Sequence, residues 1–233
     1  LRLSKVTASD GNAVDVQASQ LQTDALVIGK LYQGYQLSLH NASMSQIQPM
    51  LANKKIVSID LTDTAANISK SVDLLAKLGS SLQSIHVLDP SNALQMTSTQ
   101  FNAQAAQLAK IVSSDNYAVN VNKATVAEAG ALKSNTHISG IAVVDNVLAI
   151  SNAFDTLNQN AKISSLDISG SNTTLSLTAT QLANDTQALS KLASNYRLNV
   201  SQVDADAAAS LVAGNNRIGS IGVVGSASQL SQN

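Results

Sequence analysis

Two hydrophobic periodicities alternate along this chain of 233 residues. Short apolar runs rich in β-branched residues, at 58–61, 84–88, 117–121 and 140–144, predict buried strands. Between them, apolar residues return at i, i+4 and i+7, which predicts helices with one apolar face. Examples of this spacing are Ile68, Val72 and Leu75, and then Ile150, Phe154 and Leu157. The pattern therefore predicts an α/β protein in which strands and helices alternate.

The same pattern is written nearly three times, with a period of about 80 residues. Three landmarks keep this period: a glutamine that follows a short strand, a tyrosine that opens a strand, and an aspartate that precedes a helix. They are Gln20, Gln100 and Gln181; Tyr35, Tyr117 and Tyr196; and Asp63 and Asp145, with Gly225 near the third aspartate position. We interpret residues 1–233 as one repeat array, with a partial first repeat at 1–62, a second at 63–144 and a third at 145–233.

Each repeat carries about three strand-helix steps, or about 27 residues a coil, within the range of leucine-rich-repeat-like coils. One helix follows the shared glutamine, with Phe101, Ala105, Leu108 and Ile111 on its apolar face, and a shorter one covers 126–132. A strand, helix and parallel strand of one sheet connect right-handedly in about 98% of cases. The sequence therefore predicts a right-handed solenoid with a parallel sheet on one flank and helices on the other. An additional strand at 93–99, after the turn at 89–92, is matched by one at 173–179, after 170–172, and each predicts a hairpin-like step.

Capping residues mark several helix starts. Asp63 and Thr180 precede helical patterns and can accept hydrogen bonds from first-turn N–H groups. A repeated aspartate could instead belong to a row of calcium ligands, but the glycine-rich nonapeptide of calcium-binding β-rolls is absent. Capping is the favoured interpretation, and calcium remains an option that no motif supports.

The composition narrows the classes of function. Charged residues make up 12% of the chain, against about 25% in typical soluble domains, and aromatic residues only 3%. A net charge of -1 offers no footprint for nucleic acid or an anionic membrane. The sequence contains no run of about 18 apolar residues, so it predicts no membrane insertion. The absence of cysteine excludes disulfides and thiol catalysis within this chain.

Candidate catalytic and metal residues form no constellation in the sequence. His40, His86 and His137 fall at different places in the repeat and lack metal-ligand spacing. No GxSxG motif presents a nucleophilic serine, and Gly219, Gly222 and Gly225 lack the lysine of a phosphate-binding loop, so close backbone packing explains them better. The sequence therefore predicts no catalytic residue, no metal site, no cofactor and no enzyme. A solenoid polysaccharide lyase would need a cluster of Asp, Lys or Arg that breaks the repeat.

The repeat pattern looks cut at both ends. Leu1 stands in mid-unit, and residues 226–233 align with the first turn of the helix that begins near Thr64. Solenoids need polar capping coils, because a bare end exposes a cross-section of the core. We therefore expect either a longer array or end-to-end stacking of copies.

The sequence of residues 61–89, 94–111 and 117–121 resembles the repeats of very large bacterial secreted or cell-surface proteins. These are adhesin or matrix proteins that are exported by type I secretion. The most specific piece is DTAANI at 63–68, which becomes DNVLAI at 145–150 and GSASQL at 225–230. The resemblance implies an extracellular or cell-surface location and a structural or adhesive role, with no catalytic residue to carry over.

Two functions stay open. The first is an extracellular structural repeat protein, part of a surface array or the subunit of an end-to-end fibre, whose partner is itself. The alternative is a module that binds a host or matrix glycan or protein on one flank of the solenoid. Such a module needs exposed aromatic or arginine anchors at one repeat position, and Tyr35, Tyr117 and Tyr196 are the only such series.

Overall fold

A computed structural model describes residues 5–7, 9–31 and 34–231, in which parallel strands alternate with short helices. The chain forms two compact units, residues 1–119 and 120–233. Leu1, where the sequence pattern begins in mid-unit, lies outside the described residues.

The first unit is built on a parallel sheet in the order β1-β2-β3-β4, followed by a further strand, β5. Because each strand is followed by a helical crossover to its neighbour, the strands run parallel. The strands are β1 Val14–Gln17, β2 Leu37–Ala42, β3 Ile56–Asp63, β4 Leu82–Val87 and β5 Leu94–Thr97. The helices are α1 Gln20–Thr23, α2 Ala25–Ile28, α3 Met44–Met50, α4 Ala65–Lys70, α5 Leu75–Leu78, α6 Ser98–Ala103 and α7 Ala105–Leu108.

The second unit contains two parallel groups of strands, in the orders β6-β7-β8 and β9-β10-β11. Strand β6, Val119–Ala124, begins at the boundary between the units. The other strands are β7 Ile138–Asn146, β8 Ile163–Ser169, β9 Thr174–Thr178, β10 Arg197–Asp204 and β11 Ile218–Val224. The helices are α8 Val126–Leu132, α9 Val147–Asn152, α10 Phe154–Asn158, α11 Ala179–Asn184, α12 Thr186–Lys191, α13 Ala208–Gly214 and α14 Ala227–Leu230.

Strand pairing follows the same register in both units. In the first, Leu61 of β3 lies opposite Ile85 of β4, and Ile85 also bridges to Ile111. In the second, Val143 of β7 lies opposite Leu166 of β8, and Leu166 also bridges to Leu192. All of these side chains except Leu192 are buried. The α/β class predicted from the periodicities is therefore observed.

The helices are shorter than the apolar stripes predict. The helix expected over Ile68 to Leu75 breaks at Ser71, where the backbone leaves the helical region at φ -125° and ψ 21°. The helix expected from Phe101 to Ile111 breaks at Gln104 and ends at Leu108, and Ile111 is a β-bridge residue instead. Since Ile68, Val72 and Leu75 are all buried across the break, burial alone keeps the spacing that a continuous helix would give.

Two further expectations need correction. The additional strand makes no hairpin in the second unit, because β9 pairs in parallel with β10 rather than with β8. The helix caps also lie elsewhere: Thr64 caps α4 and Thr178 caps α11, whereas Thr180 lies inside α11. In both cases a threonine hydroxyl three residues before an N–H group is the acceptor, which is the usual geometry of an N-cap.

Candidate functional site

Two of the three landmark glutamines form hydrogen bonds with residues far away in the sequence. Gln100 and Gln181 occupy the third helical position of capping boxes headed by Thr97 and Thr178. Their Nε2 groups also donate to aspartates 27 and 26 residues earlier in the chain, to Asp73 Oδ2 at 3.0 Å and to Asp155 Oδ1 at 2.9 Å. Gln20 shares part of this arrangement, because its Oε1 accepts from the Gln17 N–H at 2.8 Å, just as Gln100 and Gln181 accept from the N–H three residues earlier at 3.0 Å. The repeated glutamine therefore has a structural role in all three copies.

The landmark aspartates hold the helix of the preceding coil. Asp63 Oδ2 accepts from the N–H of Met44, the first residue of α3, at 2.8 Å. Asp145 Oδ2 accepts from the N–H of Val126, the first residue of α8, at 3.0 Å. In each case Oδ1 accepts from the next backbone N–H and from a nearby asparagine. These bonds satisfy helix N–H groups that have no partner within the helix.

In two of the three copies, a basic side chain lies over the ring of the landmark tyrosine. The Lys55 ammonium lies 3.8 Å from the centre of the Tyr35 ring, and the Arg217 guanidinium lies 4.3 Å from that of Tyr196. Both distances are typical of cation–π pairs. Tyr117 is half-buried, which raises the pKa of its hydroxyl, and the hydroxyl lies 3.5 Å from the Leu108 carbonyl.

The histidines do not come together. His40 lies between Asp15 and Asp60, with Nε2 and Nδ1 at 3.3 and 2.8 Å from the two carboxylates. The hydrogen bond with Asp15, and then that with Asp60, raises the pKa of His40. His86 lies 3.8 Å from Asp115. Across residues 5–7, 9–31 and 34–231, no three His, Cys, Asp or Glu side chains form a group that could hold a metal ion. Nor is any helix in those ranges long and apolar enough to cross a membrane.

An acid pair, made of exposed Asp155 of α10 and buried Asp185, lies at the break between α11 and α12. The Asp155 carboxyl lies near enough to Asp185 to influence its protonation, and it accepts a hydrogen bond from Gln181 Nε2. Asp185 is only 7% exposed, and its Oδ2 receives no hydrogen bond from a protein donor. Burial, and then the Asp155 carboxyl, raises the pKa of Asp185 to about 6. The first unit has Gln104 at this position in the repeat, with a buried Oε1 that also lacks a donor.

The last strand exposes an apolar surface. Strand β11 pairs with β10 along one edge, and no described residue pairs with the other edge. Val223 is 38% exposed, whereas its repeat equivalents Leu61 and Val143 are fully buried. An apolar groove of about 630 Å³ lies beside this strand. Its lining residues are Ala205, Ala208, Ala209, Val212, Ala213, Ile221, Val223 and Leu230. We call this surface the end groove.

A polar cleft of about 480 Å³ lies at the amino ends of β9, β10 and β11. Tyr196, Arg197 and Arg217 contribute its aromatic and charged groups, and Thr173, Ser194, Asn195 and Asn216 complete the lining. We call it the arginine cleft. Sequence reasoning singled out Tyr196 but missed both arginines. A usable signal exists, because Lys55, His137 and Arg217 place a basic residue or a histidine 20 or 21 positions after each landmark tyrosine.

Comparison of the chain with family models, with curated proteins and with solved structures finds no match in any of the three.

Proposed function

We propose that this chain is an extracellular structural protein, a right-handed solenoid of about 80-residue repeats that is part of a surface adhesin or matrix array or the subunit of an end-to-end fibre, and that copies associate through the end groove. The observation that carries this proposal is the open edge of β11. The equivalent edge of β3 is covered by β4, and that of β7 is covered by β8.

The internal repeats indicate what fits on the open edge. Ile59 and Leu61 of β3 face Leu82 and Ile85 of β4, and all four are at most 2% exposed. On β11 the equivalent residues are Ile221 and Val223, which pair with β10 as Ile59 and Leu61 pair with β2. A strand with the apolar pattern of β4 is therefore the partner for this edge.

Near the amino terminus, the described residue Val6 occupies a matching position. Val6 stands at the position of Ile85 in the repeat: its N–H donates to the Lys30 carbonyl at 2.9 Å and it bridges to Leu31, as Ile85 donates to the Lys110 carbonyl and bridges to Ile111. In β4 the opposite edge of Ile85 contacts β3. The matching edge near Val6 is thus the natural partner of β11 in a second copy, with Val223 opposite Val6.

The energy for association is the same that holds coils together within the chain. Burial of a large apolar side chain contributes about 1.5 to 3 kcal/mol. The end groove presents partly exposed Ile221, Val223, Val212 and Leu230, so a second copy that covers them can offset the entropic cost of association.

An extracellular or cell-surface location accords with the resemblance to type I secreted adhesin and matrix repeats and with a chain that has no cysteine. The end-to-end contact uses the same chemistry as the contact between successive repeats, so it would extend a surface array or build a fibre.

Sedimentation velocity over a concentration series tests the proposal. We expect the sedimentation coefficient of the parent chain to rise with concentration, and the Val223→Lys variant to stay monomeric because it places a charge in the contact. Leu88→Lys is the matched control, since Leu88 is 64% exposed and lies away from the end groove. A parent chain that stays monomeric up to about 1 mM, where an interaction of about -4 kcal/mol is visible, would overturn the proposal.

A further inference from the structure

We propose that the arginine cleft binds an acidic saccharide through its carboxylate or sulfate group. The cleft brings together Arg197 and Arg217 beside the Tyr196 ring, at the amino ends of three parallel strands. The sequence contains only one other arginine, Arg2, so both arginines of the described residues lie in this one cleft.

Hydrogen bonds hold the Arg217 guanidinium in place through only one of its nitrogen atoms. Its Nη1 donates to the Ser194 carbonyl at 2.6 Å and lies 3.5 Å from the Tyr196 carbonyl, while the guanidinium lies over the Tyr196 ring. A guanidinium has five N–H donors in a planar fork. The bonds that orient Arg217 use Nη1, so its Nε and Nη2 remain as donors for a ligand.

Arg197 is oriented in the same way. Its Nη1 donates to the Asn216 carbonyl at 2.9 Å, and its side chain is exposed. Neither Arg197 nor Arg217 forms an ion pair with a carboxylate of the described residues, so neither guanidinium is neutralised. Two positive charges that lack an acidic partner, and that backbone contacts already orient, suit an oxyanion, which guanidinium groups bind through paired N–H donors.

The remainder of the lining favours a saccharide as the source of that oxyanion. Thr173, Ser194, Asn195 and Asn216 supply hydroxyl and amide groups, which both donate and accept hydrogen bonds and so match sugar hydroxyls. Apolar side chains are absent from the cleft lining, which disfavours an apolar peptide. Single-stranded nucleic acid needs stacking platforms for successive bases, and the cleft has one aromatic ring, already stacked with Arg217.

The first unit provides a natural comparison. At the equivalent repeat positions it carries Tyr35, Gln36 and Lys55, and only the lysine is charged. The double variant Arg197→Gln with Arg217→Lys therefore gives the cleft the side chains that the first unit already tolerates. It removes one charge and the planar fork while it keeps the cation–π pair.

Isothermal titration of the full chain with tetragalacturonate and with a sulfated tetrasaccharide tests the proposal, and the two probes distinguish a carboxylate from a sulfate preference. We expect at least one to bind, and we expect the double variant to bind it about tenfold or more weakly, the loss of about one charge-assisted hydrogen bond. Lys70→Gln, which makes the same change in net charge at an exposed site, is expected to bind like the parent.

Several results would overturn the proposal. They are failure of the parent to bind either probe, equal affinity of the parent and the double variant, equal binding of neutral maltotetraose, or tighter binding of a single-stranded oligonucleotide than of either probe. The inference does not depend on end-to-end association, because the cleft and the end groove share no lining residue. Val223→Lys should therefore keep saccharide binding, so that failure of one proposal is distinguishable from failure of the other.

Discussion

Strands β3 and β11 occupy the same position in the repeat but differ in burial. Both pair in parallel with the preceding strand, and both carry apolar residues at matching register positions. Leu61 of β3 is completely buried under β4, whereas Val223 of β11 is 38% exposed. The strand sequence therefore supplies an apolar edge, and the burial of that edge depends on a further strand that pairs with it.

The largest expected difference between the two strands is in the cost of truncating the matched side chains. Leu61→Ala should lower the free energy of unfolding by about 2 to 5 kcal/mol, because it opens a cavity in a packed core. Val223→Ala should cost less than about 1 kcal/mol in the monomer, since its side chain already contacts water. Urea denaturation of dilute protein measures both values. Equal losses would mean that β11 is as buried as β3.

Much of this comparison could be predicted from the sequence. The apolar runs at 58–61 and 84–88 predicted β3 and β4, and the period of about 80 residues predicted their partners in the other copies. The breaks at Ser71 and Gln104 could not be predicted, because the apolar side chains on both sides of each break keep the spacing of one continuous helix. Their backbone angles depend on the coils packed against them, which no local pattern records.

The second expected effect concerns the aspartates that cap the preceding helix. Asp63→Ala should lower the free energy of unfolding by about 2 to 3 kcal/mol. Asp63 is only 6% exposed, and its loss leaves the N–H groups of Met44 and Thr64 without their acceptor. Asp145→Ala should cost about 1 kcal/mol, since Asp145 is more exposed and water can replace it.

Asp63→Asn is the matched control for this prediction, because it keeps one side-chain oxygen as an acceptor and should lose less than Asp63→Ala. Denaturation at neutral pH measures all three variants. A cost of Asp145→Ala equal to that of Asp63→Ala would contradict the role assigned to burial. In the third copy Gly225 stands at this position, where a Cβ would lie 2.9 Å from the Ala205 Cβ. Close packing, which the sequence pattern suggested for this glycine, therefore explains why an aspartate does not fit.

The smallest expected effect concerns the acid pair of Asp155 and the buried Asp185. The pKa of Asp185 is raised to about 6 from its ordinary value of 3.8, so folding favours the protonated form. The protonated Asp185 carboxyl therefore stabilises the folded state fully below about pH 4, and this stabilisation is lost as the pH rises through 6. We expect the parent chain to lose about 1 kcal/mol from this pair between about pH 5 and pH 7.5, and Asp185→Asn to remove that loss.

The first unit supplies the reciprocal test of the acid pair. Gln104 takes the place of Asp185 there, so Gln104→Asp should add a similar decrease of stability with rising pH. Thermal melting across the same pH range measures both variants. A pH profile of Asp185→Asn that matches the parent would contradict the raised pKa of Asp185. The sequence could not predict this pair, because Asp155 and Asp185 are 30 residues apart and only the stacking of coils brings them together.

The arginine cleft shows the same limit. Tyr196 belongs to a visible repeat series, but Arg197 and Arg217 replace Gln36 and Lys55 of the first copy and break the series. A search for departures from the repeat would have found them, whereas a search for what the copies share could not.

Cross-linking between singly substituted chains tests end-to-end association most directly, since the parent has no cysteine. Val6→Cys and Val223→Cys place one thiol on each of the two edges, and the register of Leu61 opposite Ile85 puts these thiols side by side. We predict that oxidation of the mixed variants gives a disulfide-linked heterodimer, whereas each variant alone gives little dimer. The absence of a heterodimer from the mixture, or equal dimer from each variant alone, would contradict the head-to-tail contact.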